Sequence, residues 1–132
     1  MKFIFKLIIF YFLFSNLSYA NNNLYETFFH RIEITDKDFT QSKIEKIEEI
    51  KKIILENILH RILTKNNFKK LNRLIDIDNE KHYLNKNILI ENEFISQNKY
   101  SADIKIIYDK DEIIKMLRKY KINYTDFLSP NF

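Results

Sequence analysis

Ile44, Ile47, Ile50, Ile54, Ile58 and Ile62 recur at threes and fours, joined by Leu55, Leu59 and Leu63. Lys43, Glu45, Lys46, Glu48, Glu49, Lys52 and Glu56 fill the intervening positions. This period predicts an amphipathic helix from about Lys43 to Lys65, roughly 34 Å long at 1.5 Å per residue, with one apolar stripe to bury. Ser42 followed by Glu45 has the spacing of a capping box and marks its start. An apolar stripe of that length demands a cover, and the strands elsewhere in the chain make a sheet the expected one.

Three stretches read as strands. "LYETFFHRIEI", residues 24–34, is rich in aromatic and β-branched residues and predicts a first strand. Ile88, Ile90 and Phe94 share one side of a second strand, and Tyr100, Ala102, Ile104, Ile106 and Tyr108 share one side of a third. A three-residue turn Ser96-Gln97-Asn98 preserves that parity, with Asn98 in the left-handed conformation. The register then pairs Phe94 with Tyr100, Ile90 with Ile104 and Ile88 with Ile106, and leaves Asn92 on the apolar side, hydrogen-bonded or at the margin of the sheet. Between the long helix and this hairpin, "KNN" at 65–67 is read as a break. A shorter helix follows, with Phe68, Leu71, Leu74 and Ile75 on one face, and fades into "DIDNEKHYLNKN". After the hairpin, Asp109 stands at cap spacing before Glu112, and a last helix is expected to bury Ile113, Ile114, Leu117 and Tyr120. Lys115, Arg118, Lys119 and Lys121 sit where positive charge complements the helix dipole. Beyond Ile122 an extended segment is expected to run until Pro130.

The first twenty residues have another purpose. Lys2 and Lys6 precede an apolar run from Leu7 to Phe14, and small residues stand at Ser18 and Ala20. That is the layout of a cleavable secretory signal peptide over 1–20, cut after Ala20. The run is shorter than the roughly 20 residues of a membrane-spanning helix, so a retained anchor is the weaker alternative. The chain has no cysteine, hence no disulfide and no lipid at the cut site, and a soluble periplasmic protein with no stable membrane span is the expectation. Residues 21–132 then form a single domain, without repeat, low-complexity tract or linker. The formal charge is +4, with Lys2 and Lys6 in the leader supplying two of those charges, so nucleic acid is not an expected partner.

The run "ENILHRILTKNNFKKL" (56–71) followed by "NILIENEFISQNKYSADIKIIYDKDEIIKMLRKYKINY" (87–124) resembles the bacterial secreted-protein family known as domain-of-unknown-function family 2066. The likeness is carried by Arg61, Ile62, Leu63 and Thr64 at a helix end and by Asn98, Lys99 and Tyr100 at a hairpin turn. It continues in Asp109, Met116, Leu117 and Arg118 in the last helix. Lys65 and Gln97 stand where the family commonly has glycine. Members are usually longer, with a second half after the matched region, so the resemblance implies a short or truncated relative. Its motifs are packing and turn patterns and imply no chemistry.

No catalytic set emerges from the residues. His30, His60 and His82 fall in three different elements, and no cysteine can complete a zinc site; no metal ligands and no cofactor are expected. Glu91 and Glu93 are read as solvent-facing neighbours on one side of a strand, Glu48 and Glu49 as diverging around a helix, and Asp76 and Asp78 as turn residues without a calcium loop's ligand set. Ser42, Ser96 and Ser101 have neither a glycine-rich elbow nor an informatively spaced histidine. The chain contains no glycine, which excludes the usual phosphate-cradling loop. Lys69, Lys70 and Arg73, with the lysines of the last helix, read first as a solvated helix face, the alternative being contact with an anionic partner at the envelope. Tyr25, Phe29, Phe39 and Tyr83 have no assigned place in the core, and exposed aromatics would mark a protein interface.

The sequence therefore predicts an α+β domain: a small antiparallel sheet, made of the N-terminal strand plus the 87–108 hairpin, covered by the long helix and the C-terminal helix. The expected role is a non-catalytic periplasmic module that binds a protein or an envelope component. The alternative is part of an enzyme whose site needs a missing C-terminal half or a partner chain. The sequence singles out no binding residues.

Overall fold

The most apolar strand lies at the centre of the sheet. The computed structural model describes residues 23–126; the expected leader and the stretch around Pro130 lie outside the described residues. Strands β1 (His30–Thr35), β2 (Asn85–Ile95) and β3 (Lys99–Tyr108) form an antiparallel sheet in the order β1-β3-β2. Tyr100, Ala102, Ile104 and Ile106 of β3 are fully buried, as strict alternation on a half-covered strand requires. The fold is α+β, as expected.

The first strand is shorter than the 24–34 stretch. Leu24 and Tyr25 lie in a turn, and both are buried. The β1–β3 ladder stops at His30 opposite Ile104. Where the next pair would form, the Thr27 hydroxyl instead donates to the Ile106 carbonyl at 2.6 Å. A side chain satisfies the central strand there, and the backbone is free to diverge.

Helix α1 spans Phe39–Ile62, beginning earlier than Lys43. Asp38 is its cap, its carboxylate accepting the Thr40 amide at 3.2 Å. Ser42 lies inside the helix, and its hydroxyl donates to Asp36 at 3.4 Å rather than capping. Asp38 is the earlier residue of equal capping strength, so the helix nucleates there. Ile50, Ile54, Leu55, Ile58, Leu59 and Ile62 are buried against β1 and β3, while Ile44 at the start of the stripe stays 53% exposed. Each fully buried side chain of this size contributes about 1.5–3 kcal/mol.

The expected break at 65–67 is the first turn of α2 (Lys65–Leu74), capped by Thr64, whose hydroxyl accepts the Asn67 amide at 3.3 Å. The expected fade at 76–87 holds a third helix, α3 (Ile77–Leu84), capped by Asp76. Both misreadings gave too little weight to short polar caps in an Asn- and Lys-rich stretch. Helix α4 (Lys110–Lys119) follows as expected: Asp109 accepts the amides of Asp111 at 2.9 Å and Glu112 at 3.2 Å. Ile113, Met116 and Leu117 are buried in the common core, and Ile114 and Tyr120 pack on its margin.

Candidate binding surface

The hairpin contains the main departure from simple alternation. Ile88 pairs with Ile106 and Ile90 with Ile104, as expected, but Phe94 lies opposite Ser101 and Ile95 opposite Tyr100. The connection is a tight Gln97-Asn98 turn, closed by the Ser96 amide donating to the Lys99 carbonyl at 2.8 Å. Asn98 is not left-handed. That conformation belongs to Asn92, at φ 50°, where one extra residue enters β2 as a bulge between Glu91 and Phe94. Asparagine tolerates this backbone better than most residues. A shorter turn plus a bulge keeps parity up to Glu91 and reverses it beyond.

The reversal separates Glu91 from Glu93. On the open face Asn92 donates to Asp103 at 2.7 Å, and Arg31 pairs with the same carboxylate at 3.2 Å. Asn92 first, and Arg31 after it, hold Asp103 below the usual carboxylate range. On the helix face Glu93 accepts the Tyr100 hydroxyl at 2.7 Å and the Lys43 ammonium at 3.1 Å. Tyr100 first, with Lys43 second, depresses its pKa. Lys43 also stands 4.5 Å over the Tyr100 ring, on which Phe39 stacks. The bulge thus ties the end of β2 to the start of α1 through Glu93, and turns Phe94 outward, 55% exposed.

A second irregularity at Lys86 leaves Asn87–Glu91 as the regular stretch of β2. Among the described residues β2 has a strand neighbour on one side only. Its other edge carries no strand: the Ile88 amide is bonded by the Asn87 side-chain oxygen at 2.8 Å, and Ile90 and Ile95 are 40% and 59% exposed.

Where β1 diverges, the chain from Glu26 to His30 and the second half of α1 leave a groove of about 480 Å³, walled by Phe28, His30, Ile54, Asn57, His60 and Arg61. Phe28 is 66% exposed. Arg61 donates to the Glu26 carbonyl at 2.9 Å and fixes one rim. The His60 ring lies 3.9 Å from that of Phe68. The groove brings together two of the three histidines that the sequence placed apart. No local pattern announces it: His30 and His60 come from a strand end and a helix, and only the β1–α1 packing joins them. The Thr27 hydroxyl in its wall is committed to Ile106, so what the groove offers is an apolar floor rimmed by the Arg61 guanidinium, two imidazoles and Glu26.

The remaining candidates lie elsewhere. His82 approaches Glu48 at 3.4 Å in a charged cluster between α1 and α3, where Glu48 also meets Lys51 at 2.7 Å and Lys81 at 3.4 Å. Burial opposes the Glu48 charge, but Lys51, His82 and Lys81 together hold its pKa below the ordinary value. Lys81 is buried and bonds Asp78 at 3.1 Å, and Lys52 takes the other Asp78 oxygen at 2.8 Å. The buried Tyr108 hydroxyl donates to the Lys51 carbonyl at 2.6 Å, and burial pushes its pKa up. Among the described residues, no group of three or more His, Asp or Glu is placed to hold a metal ion. Ser101 is buried and accepts from Arg31 at 3.1 Å. Lys69, Lys70 and Arg73 are exposed on α2. Of the unplaced aromatics, Tyr25 is buried, Phe39 is half-buried against Tyr100, and Phe29 and Tyr83 are 41% and 80% exposed.

No family model, curated protein or solved structure matches the chain.

Proposed function

We propose that the protein is exported to the periplasm, is cut after Ala20, and acts there as a non-catalytic module that binds a polypeptide segment. Membership of domain-of-unknown-function family 2066 is part of this proposal and rests on the residue likenesses alone. The observation that carries the binding role is the groove beside β1: apolar walls at Phe28 and Ile54, with Arg61, His30 and His60 at the rim for an acidic group and Glu26 beside them. A segment with a large apolar side chain next to an Asp or Glu has the matching chemistry. Among the described residues no helix is long and apolar enough to cross a membrane, in keeping with a domain that works outside the bilayer.

In the expressing cell, a photoreactive side chain at Asn57 should give a discrete adduct with one polypeptide. Phe28→Asp should abolish that adduct and Phe28→Trp should keep it. The same adducts from a probe at Lys115, on α4, would overturn the assignment. Mass spectrometry of the exported chain should find Asn21 at its N-terminus; a retained Met1 in the membrane fraction would contradict cleavage.

A second reading takes the meeting of His30 and His60 as half of an acid–base site, completed by a missing C-terminal half or a partner chain. It predicts that His60→Gln leaves the Asn57 adduct intact while abolishing turnover in the assembled enzyme.

A further inference from the structure

The open edge of β2 has a property that the groove lacks: it is nearly its own complement. Between the irregularities at Lys86 and Asn92, the regular stretch reads Asn87-Ile88-Leu89-Ile90-Glu91, polar–apolar–apolar–apolar–polar in either direction. Antiparallel pairing about a two-fold axis sets each residue opposite its mirror position in the other copy. Centred on Leu89, the axis places Leu89 on Leu89, Ile88 on Ile90, and Asn87 on Glu91. Asn87, whose side-chain oxygen accepts the Ile88 amide at 2.8 Å, can donate its NH2 to the Glu91 carboxylate, so no like charges meet. Centred instead on Ile90, the axis sets Leu89 against Glu91 and Ile88 against Asn92. Centred on Ile88, it sets Lys86 against Ile90. One register alone sets every apolar residue of the stretch opposite an apolar one.

We propose that this edge pairs with a second copy of the chain, Leu89 against Leu89, giving one continuous sheet across both copies. A perpendicular two-fold axis keeps both helix layers on the same side. Ile90, now 40% exposed on that side, gains an apolar neighbour in Ile88 of the second copy. The surface joined is short, so the dimer is expected to be weak and concentration-dependent. The irregularities at both ends confine the pairing to these residues and oppose endless edge-to-edge growth. This interface and the groove beside β1 lie on opposite flanks of β3, so either can fail without the other.

The chain contains no cysteine, which makes a register test direct. The protein is taken as recovered from the expressing cell, its N-terminus defined by mass spectrometry. Single cysteines are introduced at Leu89, Ile88 and Ile90, and dimers are trapped by mild oxidation or a short bismaleimide. Leu89→Cys alone should cross-link efficiently. Ile88→Cys and Ile90→Cys should each cross-link at least several-fold less well alone, and efficiently when mixed. Leu89→Lys, which brings two ammonium groups together, should shift sedimentation to monomer while the circular dichroism spectrum and melt stay those of a folded domain. Equal cross-linking at all positions, or a monomer at the highest soluble concentration, would overturn the proposal.

Discussion

The two flanks of β3 are built on different terms. Toward β1 the ladder is regular, from His30 opposite Ile104 to Thr35 opposite Lys99. The β1 side chains facing α1, Ile32 and Ile34, are buried. Toward β2 the ladder is longer but twice interrupted, and the outer strand keeps Ile90, Phe94 and Ile95 well exposed. One flank is a core and the other is a rim. The difference follows from where α1 lies, since it packs on β1 and β3 and meets the end of β2 through the Lys43–Glu93 pair. A strand beyond that cover contributes little apolar burial and is free to present its edge.

The sharpest way to break this contrast is to truncate matched residues on the two strands. Ile104 is fully buried, while its cross-strand neighbour Ile90 is 40% exposed. Ile104→Ala should cost about 3 kcal/mol and Ile90→Ala about 1 kcal/mol or less in chemical unfolding. Equal losses would mean that β2 is as much core as β3.

The cluster between α1 and α3 comes next. Glu48→Gln removes the negative charge that Lys51 and Lys81 share and turns one of their two acceptor oxygens into a donor, and should cost about 1–2 kcal/mol. Glu48 and Asp78 both titrate below their ordinary values. For Asp78 the causes are Lys52 first and Lys81 second; for Glu48 the cations outweigh burial. A depressed carboxylate stabilises the fold above its unfolded-state pKa, and that stabilisation disappears as the pH falls through the folded-state value. Stability should therefore hold at neutral pH and drop below about pH 4–5, with a shallower drop in Glu48→Gln.

A smaller effect is expected at the bulge. Asn92→Ala removes both the side chain that bonds Asp103 and the residue type that tolerates φ 50°, at about 1 kcal/mol. Asn92→Gly loses only the bond and should fall within about 0.5 kcal/mol of the parent. The two substitutions separate backbone strain from hydrogen bonding in urea melts. Smallest of all should be Lys43→Ala, whose partner carboxylate is exposed. It should change stability by under about 0.5 kcal/mol, and by less in high salt.

Much of the fold could be read from local pattern. The stripe from Ile50 to Ile62, the alternation from Tyr100 to Tyr108 and the Asp109 cap each specify an element by themselves, because neighbours in sequence decide them. The bulge was written less plainly. Asn92 interrupts an apolar series, and a polar residue there signals either a margin or an extra residue; simple alternation favoured the first. The caps at Thr64 and Asp76 were hidden among polar residues that serve equally well in loops. The groove had no sequence signal. Phe28, His30 and His60 belong to segments distant in sequence, which meet through the packing of α1 on β1 and the Arg61 bond to the Glu26 carbonyl.

The most direct test is amide hydrogen exchange along β2 in dilute protein, followed residue by residue. Amides of β1 and β3 bonded within the sheet should exchange only on global unfolding. Along Asn87–Glu91, the amides that point away from β3 should exchange far faster than their alternating neighbours. At high protein concentration those same amides should slow. Uniform slow exchange along β2 at high dilution would mean that the edge is covered within a single chain, and would contradict the account.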